Sequence, residues 1–519
     1  MTGRDRKTSS LNTMATLSPL DHHNRTLLSH VHPPDWPQPD PAKVYNLVVI
    51  GGGTAGLVTA GGAGLLGGKV ALIEKHLLGG DCTNVGCVPS KTLIRAARAA
   101  HEVRQAHRFS VNVPEEVSVD FPGVMERMRR VRAEISQNDS AKHMSEEYGI
   151  DLFFGEAKFT GPDTIAVGEL TLRFKKAVIA TGSSPVLPPI EGLGQVDYLT
   201  NENVFNLTER PQKLAVIGGG YIGCELAQAF QRLGTAVTLL QRGDRILNAA
   251  EPEVSALMQR KLAYEGVDIR LNADVTRVEQ EDGKIVHYET DGDTHSVAVN
   301  AVLISVGRSP NVSELGLEKV GVKTDNKKGV LIDDYLQTSN PNIFAVGDCC
   351  MAWQFTHAAD AAARIAVQNA LFAPFGIGRR KLSDLVMPSC AYTDPEVAHV
   401  GISAKDAASR EDIRTYHVPL DDVDRAIADG ETEGFAKIYL AKNKDRILGA
   451  TVVATHAGEM LNEVTLAMTK GLGLGAIASV IHPYPTQAEA IRKAAEEYSL
   501  AQFTPFIKKI AAKWLEWQR

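Results

Sequence analysis

Short apolar runs that end in glycine-rich turns recur along the chain. The runs at 45–50 and 214–217 each lead directly into three consecutive glycines and then into a segment of helix-forming residues. A further apolar run, at 70–73 and at 237–240, closes each unit. Uninterrupted apolar runs of this length, bounded by glycine, are typical of strands buried on both faces of a parallel sheet. The pattern therefore predicts two strand–turn–helix–strand units.

From residue 386 onwards the pattern changes to that of antiparallel strands mixed with helices. The last segment, 506–517, has helical periodicity. One face carries Ile507, Ile510 and Trp514, and the rest of the surface carries Lys508, Lys509 and Lys513. We expect this helix to pack against the body of the protein or a partner subunit; docking at a membrane surface is the alternative.

The composition is that of a globular protein, with 44% hydrophobic and 23% charged residues in 519, a length that suggests about three domains. A net charge of −7 does not favour nucleic acid. The uncharged run 44–68 holds too many glycines to be a good membrane span. Because the start lacks an apolar signal segment and six cysteines are too few for a secreted disulfide scaffold, we expect the cytoplasm.

The first unit has the spacing of a dinucleotide-binding turn. Gly51 permits the tight turn, Gly53 lets a pyrophosphate approach the backbone, and Gly56 lets helix and strand pack closely. Glu74 ends the closing strand, where a carboxylate accepts hydrogen bonds from ribose hydroxyls. The pyrophosphate would lie at the N-terminus of the helix.

The second unit repeats the turn, with glycines at Gly218, Gly220 and Gly223. Two complete units imply two dinucleotides. Gln241 occupies the position that Glu74 has in the first unit. A carboxylate there would repel the 2′-phosphate of NADP, whereas Gln241 does not, and Arg242 or Arg245 is placed to pair with that phosphate. We therefore favour NADPH, with NADH as the alternative.

Two cysteines separated by four residues, Cys82 and Cys87, precede a segment at 90–100 that is rich in helix formers, with Ser90 as a candidate capping residue. A cysteine near a helix N-terminus is favoured as thiolate, the form that attacks disulfides and binds soft metals. A zinc site is disfavoured because no second closely spaced Cys or His pair accompanies them, and no metal ligands are predicted elsewhere. These residues favour a redox-active disulfide over a pair of buried structural thiols.

The segment 79–91, GGDCTNVGCVPSK, resembles the active-site signature of the class I flavoprotein disulfide reductases. This family of FAD-dependent pyridine nucleotide-disulfide oxidoreductases includes glutathione reductase, dihydrolipoamide dehydrogenase and mercuric reductase. The resemblance covers residues from about 45 to about 500. It implies an α/β fold with two Rossmann-like domains, for FAD and NAD(P), a C-terminal α+β dimerisation domain, and a homodimer whose partner subunit completes the active site.

The domain boundaries that follow from this resemblance divide the chain into five parts. We expect a flexible, proline-rich arm at 1–43, and the FAD-binding domain in two pieces at 44–190 and 313–385. The NAD(P)-binding domain is expected at 191–312 and the dimerisation domain at 386–519.

The resemblance also assigns roles around the cysteines. It implies that Cys87 is the thiolate beside the flavin and that Cys82 meets the substrate. Lys91 and Glu225 resemble the ion pair that tunes the flavin potential, and Tyr221 resembles the lid over the nicotinamide pocket.

Other family positions imply contacts with FAD. Asp348 matches the residue that holds the ribityl chain, and Ala358 lies in a helix start, Thr356-His357-Ala358, that faces the flavin ring. Gly182 and Gly307 mark the turns where the chain leaves and re-enters the flavin domain. The dipole of the helix that begins at Thr356 would stabilise negative charge on the reduced flavin.

The segment 481–489 departs from the family pattern. In disulfide-reducing relatives a His stands directly before Pro-Thr and five residues before a Glu, and acts as acid–base. Here Tyr484 takes that position, Glu489 is retained, and His482 lies two residues too early. A phenol with an ordinary pKa near 10 is a poor proton shuttle at neutral pH, although it can donate a hydrogen bond or help bind a soft metal.

These features point to a mercuric reductase-like oxidoreductase that acts on Hg(II) or a related thiol or disulfide substrate. The chain lacks the paired cysteines that such reductases carry in an N-terminal metal-binding domain and at the C-terminus, since no cysteine precedes Cys82 or follows Cys390. A dihydrolipoamide dehydrogenase or another disulfide reductase is the alternative. A flavin-bound redox sensor without dedicated turnover is a third reading, which the cysteine pair and both nucleotide units disfavour.

Overall fold

The computed structural model describes residues 17–114 and 116–519. These residues form two compact units. The first unit comprises the described residues up to 242 together with 272–385. The second comprises 243–271 and 386–519.

The first unit alternates strands and helices through its N-terminal half. Its helices are α1 (His22–Val31), α2 (Thr54–Leu65), α3 (Gly80–Val85), α4 (Cys87–Gln105), α5 (Phe121–Ile135), α6 (Ala141–Glu146) and α7 (Tyr221–Arg232). Its strands in this half are β1 (Tyr45–Ile50), β2 (Val70–Glu74), β3 (Asp151–Phe154), β4 (Ala157–Gly161), β5 (Thr164–Val167), β6 (Leu170–Ile179), β7 (Ser183–Pro185), β8 (Lys213–Ile217) and β9 (Ala236–Leu240).

The chain then passes through the second unit and returns to the first. The excursion contains α8 (Pro252–Tyr264) and β10 (Asp268–Arg270). The returning part contains β11 (Asp274–Glu281), β12 (Gly283–Thr290), β13 (Asp293–Val299), β14 (Ala301–Ile304), β15 (Arg308–Pro310), β16 (Thr324–Asp325), β17 (Gly329–Val330), β18 (Ile343–Ala345) and α9 (Thr356–Leu371).

A seven-stranded sheet organises the flavin half of the first unit, in the order β3-β2-β1-β6-β5-β4 with β18 beside β6. Strands β3, β2, β1, β6 and β18 pair in parallel, whereas β4, β5 and β6 pair antiparallel. All five residues of β2 are buried, as the continuous apolar pattern predicts for a parallel strand covered on both faces. The carboxyl ends of β1 and β6 meet where Ala180 donates its N–H to Ile50.

The second dinucleotide unit is built in the same way on a smaller scale. Strands β9, β8 and β14 pair in parallel, and β11, β12 and β13 form an antiparallel meander. Apolar side chains of both sheets share one core, which includes Ile217, Leu240 and Ile304. The α/β class with two Rossmann-like units is therefore confirmed.

The C-terminal part of the second unit is an antiparallel sheet covered by helices. Its strands, in the order β19-β20-β23-β22-β21, are β19 (Pro388–Ala391), β20 (Glu396–Gly401), β21 (Ile413–Pro419), β22 (Phe435–Ala441) and β23 (Ile447–Ala454). The helices are α10 (Ala404–Ala408), α11 (Asp424–Asp429), α12 (Ala457–Thr469), α13 (Leu474–Ala478), α14 (Glu489–Ala501) and α15 (Pro505–Trp517). Of the helices within 17–114 and 116–519, none combines the length and apolarity needed to cross a bilayer.

The N-terminal segment corrects the expectation of a flexible arm for the residues that are described. Helix α1 begins after Asp21, whose side chain accepts a hydrogen bond from the backbone N–H of Asn24. Leu27 and Val31 are fully buried, and Val31 accepts a hydrogen bond from the backbone N–H of Leu78. Proline content predicts extended chain, but an apolar helical face that finds a groove overrides it. The first 16 residues of the expected arm lie outside the described part.

Arg132 ties this N-terminal helix to the cysteine-bearing segment. Its side chain is fully buried on α5 and donates to the side-chain oxygen of Asn24 at 2.7 Å and to the carbonyl of Asn84 at 2.7 Å. Asn84 lies in α3, two residues after Cys82, and its own side chain donates to the carbonyls of Leu78 and Gly80. The backbone around Cys82 is thus held from both sides.

Candidate active site

Cys87 is the first residue of α4, and Cys82 lies in the short helix α3 directly before it. Gly79 and Gly80 have φ values of +87° and +55°, and a Cβ on Gly80 would lie 2.7 Å from the Cα of Gly53. Only glycine fits this close approach of the cysteine segment to the first dinucleotide turn. The residue preceding α4 is Gly86, so Ser90 does not cap the helix as expected; it donates instead to the carbonyl of Cys87 at 3.3 Å.

A second helix N-terminus meets the first at the sulfur of Cys87. Thr356 is the first residue of α9, and its Oγ1 lies 3.3 Å from the Sγ of Cys87. The two residues are 269 positions apart in the chain. Because α4 and α9 both direct the positive ends of their dipoles towards this sulfur, negative charge is stabilised there.

The two thiols have opposite proton affinities. The hydrogen bond from Cys82 lowers the pKa of Cys87 to about 6, and the hydroxyl of Thr356 and the charge of Lys91 act in the same direction. Its hydrogen bond to Cys87 and its burial raise the pKa of Cys82. At neutral pH the reduced pair therefore consists of a Cys87 thiolate and a Cys82 thiol.

Lys91 follows one turn after Cys87 on α4 and forms an ion pair with Glu225 of α7. The Nζ of Lys91 lies 2.8 Å from an oxygen of Glu225, whose side chain is 7% exposed. A buried carboxylate is stable as an ion only when it is paired. The structure thus brings together the two residues that the sequence predicted as a pair, and fixes α4 against α7.

The two glycine turns have nearly identical backbone geometry. Gly53 and Gly220 precede α2 and α7 with φ −76° and ψ −173° in both cases, and no side-chain hydrogen bond caps either of these described helix starts. Gly51 and Gly218 have φ values of +103° and +108°.

The other glycines of each turn differ in what surrounds them. A Cβ on Gly56 or Gly223 would lie 1.7 Å or 1.9 Å from the carbonyl oxygen of the first glycine of its own turn. Around Gly220, by contrast, the described chain places no heavy atom within 4 Å of an added Cβ, and around Gly53 it places only the Cα of Gly80, at 3.6 Å. The residues present therefore leave open, uncapped helix starts that fit one dinucleotide phosphate group each.

The residues that close the two units hold the turns in the same way. Glu74 accepts hydrogen bonds from the backbone N–H of Gly52 at 2.5 Å and of His76 at 2.6 Å, and burial raises its pKa. Gln241 accepts from the backbone N–H of Gly219 at 2.8 Å through its side-chain oxygen. This use of Glu74 adds a structural task to the ribose contact expected of it.

Asp348 lies in a 3₁₀ turn three residues after β18, in a network that sequence reasoning missed. Ser183 donates to Asp348 at 2.7 Å, and Arg308 donates to Ser183 at 2.7 Å and pairs with Asp81, the residue before Cys82. Burial raises the pKa of Asp348. Gly307, directly before Arg308, has φ +132°, and Gly182, directly before Ser183, has φ +69°. The two glycines expected at the flavin domain boundary therefore flank residues that connect Asp348 to the cysteine segment.

The remaining positions expected at the cofactors lie on the same helices. Ala358 is fully buried in the first turn of α9, and Tyr221 opens α7, directly after Gly220. Arg242 is exposed, directly after Gln241. Cys349 and Cys350 are buried and donate to the backbone carbonyls of Val346 and Gly347, so they act as small interior side chains.

The segment that bears Tyr484 and His482 belongs to the second unit. The hydroxyl of Tyr484 donates to Asp424 at 2.8 Å, and this hydrogen bond raises the pKa of Tyr484, which is 71% exposed. His482 is held between the carboxylate of Glu463, at 2.8 Å from its Nε2, and the carbonyl of Val480. No sequence motif marks Asp424 or Glu463, so these two contacts could not be predicted from the sequence.

Glu489 is buried at the start of α14. One carboxylate oxygen pairs with Arg492 at 2.7 Å. The other oxygen has no hydrogen-bond partner among the described residues, and the same holds for Thr486 Oγ1 and Gln487 Oε1. These three oxygens are exceptions to the rule that buried polar atoms are hydrogen-bonded.

A potential metal-ligand cluster lies elsewhere in the second unit, where no metal was predicted. Donor atoms of Glu396, His456 and Glu459 lie within 4.8 Å of one another. The carboxylate of Glu396 accepts a hydrogen bond from the backbone N–H of Gly458 at 3.1 Å, in the first turn of α12. The carboxylate thus has a task in holding that helix start, and we assign the cluster no metal.

Taken together, the two open dinucleotide turns and the cysteine pair define a two-nucleotide flavoprotein reductase. Comparison with known proteins agrees. Residues 45–363 match the pyridine nucleotide-disulphide oxidoreductase family and residues 387–495 match its dimerisation domain. The chain belongs to this family and is an FAD-dependent oxidoreductase that uses NAD(P)H. The match to the dimerisation domain supports a homodimer.

The relatives include more than one kind of reductase. A mercuric reductase of Staphylococcus aureus is 37% identical over 87% of this chain and 82% of its own length. A dihydrolipoyl dehydrogenase of Geobacillus stearothermophilus is 35% identical over 86% of this chain and 95% of its own. The HOCl-induced flavoprotein disulfide reductase RclA of Escherichia coli is similar in structure, with a TM-score of 0.77 and 30% identity over 87% of this chain and 99% of its own. The predicted similarity to mercuric reductases is confirmed.

The open space at Gly220 leads to a first prediction. Gly220→Ala adds a methyl group that touches no part of the described chain, so the folded state and bound FAD are expected to persist while the KM for the nicotinamide nucleotide rises roughly tenfold or more. Stopped-flow reduction of the bound flavin measures the effect. The contrasting variant, Gly223→Ala, forces a methyl into the carbonyl of Gly218 and is expected to lower the melting temperature instead. Unchanged nucleotide affinity in Gly220→Ala would contradict this assignment.

The contact between Thr356 and Cys87 leads to a second prediction. Thr356→Val removes a hydrogen bond to the thiolate and is expected to raise the pKa of Cys87 by roughly one unit. Since a thiolate exists above its pKa, alkylation of the reduced enzyme by iodoacetamide should rise through pH 6 in the parent chain and at higher pH in the variant. Peptide mass mapping identifies the modified cysteine. Thr465→Val, whose hydroxyl donates to a carbonyl of its own helix, is the control and should leave the profile unchanged.

Proposed function

We propose that this enzyme uses NADPH and the Cys82–Cys87 pair to reduce a soft metal ion, with Hg(II) as the first candidate. The observation that carries the proposal is the asymmetry of the two thiols: Cys87 is stabilised as thiolate by the hydrogen bond from Cys82 and by the hydroxyl of Thr356, and Cys82 is kept as thiol. When bound, FAD supplies the transfer of two electrons between the nicotinamide and the disulfide. Gly53, Glu74 and Asp348 are the residues expected to hold it.

The disulfide accepts these electrons with one proton. The S–S bond breaks, Cys87 becomes the thiolate that stays at the N-terminus of α4, and Cys82 takes up the proton. Cys82 then loses this proton as its sulfur binds the incoming metal ion, because the thiolate is the metal ligand. The two thiolates then give up the two electrons: the S–S bond between Cys82 and Cys87 forms again, and Hg(II) becomes the neutral element, which leaves the sulfurs. Lys91, held by Glu225, keeps a positive charge near the Cys87 thiolate throughout.

Tyr484 and His482 support a metal ion over a disulfide as substrate. Reduction of a disulfide requires a group that protonates the leaving thiolate. The hydrogen bond to Asp424 raises the pKa of Tyr484 and makes this phenol a weaker acid than usual. His482 is occupied by Glu463 and is 8% exposed. Neither side chain is arranged to deliver a proton, whereas the phenol oxygen of Tyr484 can still help to bind a soft metal ion.

The second candidate is reduction of a disulfide. Dihydrolipoyl dehydrogenases match this chain almost as well as mercuric reductases do, and RclA is described as a disulfide reductase that also has a Cu(II) complex. The deciding measurement is anaerobic NADPH oxidation with Hg(II) plus excess thiol, with Cu(II), with lipoamide and with oxidised glutathione. Turnover with a metal ion and silence with both disulfides supports the first proposal, and the reverse supports the second. NADPH oxidation that stays slow with every one of these acceptors would favour the redox sensor.

The partner subunit is proposed to complete the active site at the loop 484–489. The support is that Tyr484 of this loop is 71% exposed in one chain and that the loop lies in the part matched to the dimerisation domain. A surface of the partner subunit can therefore reach it. The cytoplasm is the proposed compartment, because a working thiol pair fits reducing conditions.

NADPH is the proposed electron donor because of how Gln241 is used. Its side-chain oxygen is taken by the N–H of Gly219, so its NH₂ group is the part left to meet the nucleotide. A donor favours a 2′-phosphate, and the exposed Arg242 adds a positive charge beside it. Tyr221 is proposed as the movable lid over the nicotinamide.

Coenzyme preference gives a third prediction. Gln241→Glu places a carboxylate where the first unit has Glu74, and kcat/KM for NADPH is expected to fall roughly tenfold or more relative to NADH. Steady-state kinetics with both nucleotides at a saturating acceptor measure the ratio. Gln195→Glu, at an exposed position of the same unit, is the control for the added charge and should leave the ratio unchanged. A ratio that Gln241→Glu leaves unchanged would remove this residue from coenzyme selection.

Substrate choice gives a fourth prediction. Tyr484→His restores the residue type that disulfide-reducing relatives have at this position. Glu489 has one carboxylate oxygen without a hydrogen-bond partner among the described residues and can orient the new His. Disulfide turnover is therefore expected to rise roughly tenfold or more. Tyr484→Phe keeps the ring, removes the hydroxyl, and should slow turnover of the metal ion without enabling disulfide turnover. NADPH oxidation with lipoamide and with Hg(II) measures both effects. If Tyr484→Phe has no effect on either substrate, Tyr484 lies outside the active site.

A further inference from the structure

Helix α15, residues 505–517, presents an apolar face that the described chain leaves uncovered. Every residue from 501 to 519 is exposed. The exposed fractions are 72% for Phe506, 53% for Ile510, 56% for Trp514 and 76% for Trp517. Such large apolar side chains are not grouped on the surface of a protein without a function for the group.

The charged and the large apolar side chains of α15 lie on opposite halves of the helix. At about 100° per residue, the apolar residues take up roughly half of the helix circumference without interruption. They are Phe506, Ile507, Ile510, Ala511, Trp514, Leu515 and Trp517. The opposite half carries Lys508, Lys509, Lys513 and Glu516, and Arg519 follows one turn later. Four cations against one carboxylate make this helix basic in a chain whose net charge is −7.

The cations lie where a lipid surface would require them. Lys508 and Lys513 fall on the two borders between the polar and apolar halves, next to Leu515 and Phe506 respectively. A lysine at such a border lets its aliphatic stem follow the apolar phase while the ammonium group reaches lipid phosphates. At interfaces between proteins, by contrast, lysine is depleted.

Two further observations separate α15 from the family's own dimer contact. The match to the dimerisation domain ends at residue 495, so α15 lies beyond it. The rings of Trp514 and Trp517 are adjacent, with centroids 5.1 Å apart, and both are exposed. Tryptophan is the residue that most favours the boundary between lipid headgroups and acyl chains. Thr504 caps the helix, since its side-chain oxygen accepts a hydrogen bond from the backbone N–H of Ile507.

We propose that α15 is an in-plane anchor that docks the enzyme on the surface of an anionic lipid membrane. The apolar half enters the boundary between headgroups and acyl chains, and the lysines bind lipid phosphates. With 13 residues the helix is about 20 Å long, so it lies on the bilayer and does not cross it. The proposal is independent of which substrate the cysteine pair reduces.

The test uses the full-length holoenzyme and extruded vesicles of phosphatidylcholine alone or mixed with phosphatidylglycerol. Co-sedimentation is expected with the anionic vesicles at low salt, with a blue shift of tryptophan emission and loss of binding as salt rises. Lys508→Glu/Lys509→Glu/Lys513→Glu should weaken binding roughly a hundredfold, since each cation near an anionic surface contributes roughly fivefold. The matched control, Lys319→Glu/Lys327→Glu/Lys328→Glu, changes three exposed lysines of the first unit and should bind as the parent does.

A second pair of variants tests the apolar face. Ile510→Glu/Trp514→Glu should abolish sedimentation with vesicles while turnover of dissolved substrate and the dimer mass stay unchanged. Leu65→Glu, at a 72% exposed position on α2, is its control and should bind normally. Failure of the parent enzyme to bind anionic vesicles at low salt overturns the proposal. So does equal binding to neutral vesicles, or a fall in oligomer mass in Ile510→Glu/Trp514→Glu, which would show that a second copy covers this face.

Discussion

The stabilisation of negative charge at the sulfur of Cys87 is the constraint around which the first unit is arranged. A thiolate needs donors and positive potential within a few ångströms, and two helix starts supply them here. One belongs to Cys87 itself, and the other belongs to Thr356, which follows β18. To bring these starts together, β1, β6 and β18 must lie side by side in one parallel sheet, which they do. The sheet order is therefore a requirement of the chemistry as well as of the core.

The two dinucleotide turns show how one backbone device serves two ligands. The dihedral angles of Gly53 and Gly220 agree to the degree, and in each unit a side-chain oxygen from the closing strand holds the middle glycine. That oxygen belongs to Glu74 in one unit and to Gln241 in the other. Holding the middle glycine requires only a hydrogen-bond acceptor. The residue at this position can therefore be charged, as Glu74 is, or neutral, as Gln241 is. The two turns therefore differ in charge at this position and keep the same backbone geometry.

Local patterns predicted the turns and a helix next to the cysteines, because steric limits on Gly51 and Gly56 and the dipole of a helix act within a few residues. They placed the start of that helix at Ser90, whereas α4 begins at Cys87. The contact between Thr356 and Cys87 joins positions 269 apart, so its distance lay beyond any local pattern. The network of Ser183, Arg308 and Asp348 was missed for the same reason. Motif resemblance gave the family and fold, both of which were confirmed.

The N-terminal segment was predicted wrongly although a signal was present. Leu27, Leu28 and Val31 share one helical face, and Asp21 stands at a capping position before them, but the prolines at 33–41 outweighed this pattern. Composition describes an average over a segment, whereas a helix of ten residues needs only a few apolar side chains and a groove to receive them.

The hydrogen bonds from Arg132 to Asn24 and to Asn84 determine where a functional fragment of this protein can begin. The family match begins at residue 45, yet a cation that lies wholly in the interior depends on an amide from residue 24. Trimming the protein to the family core would remove the amide that accepts a hydrogen bond from this guanidinium, whose other partner, Asn84, lies two residues after Cys82. A fragment of this chain that keeps the cysteine segment in place must therefore begin before residue 45. Residues upstream of the family match thus help to position the active site.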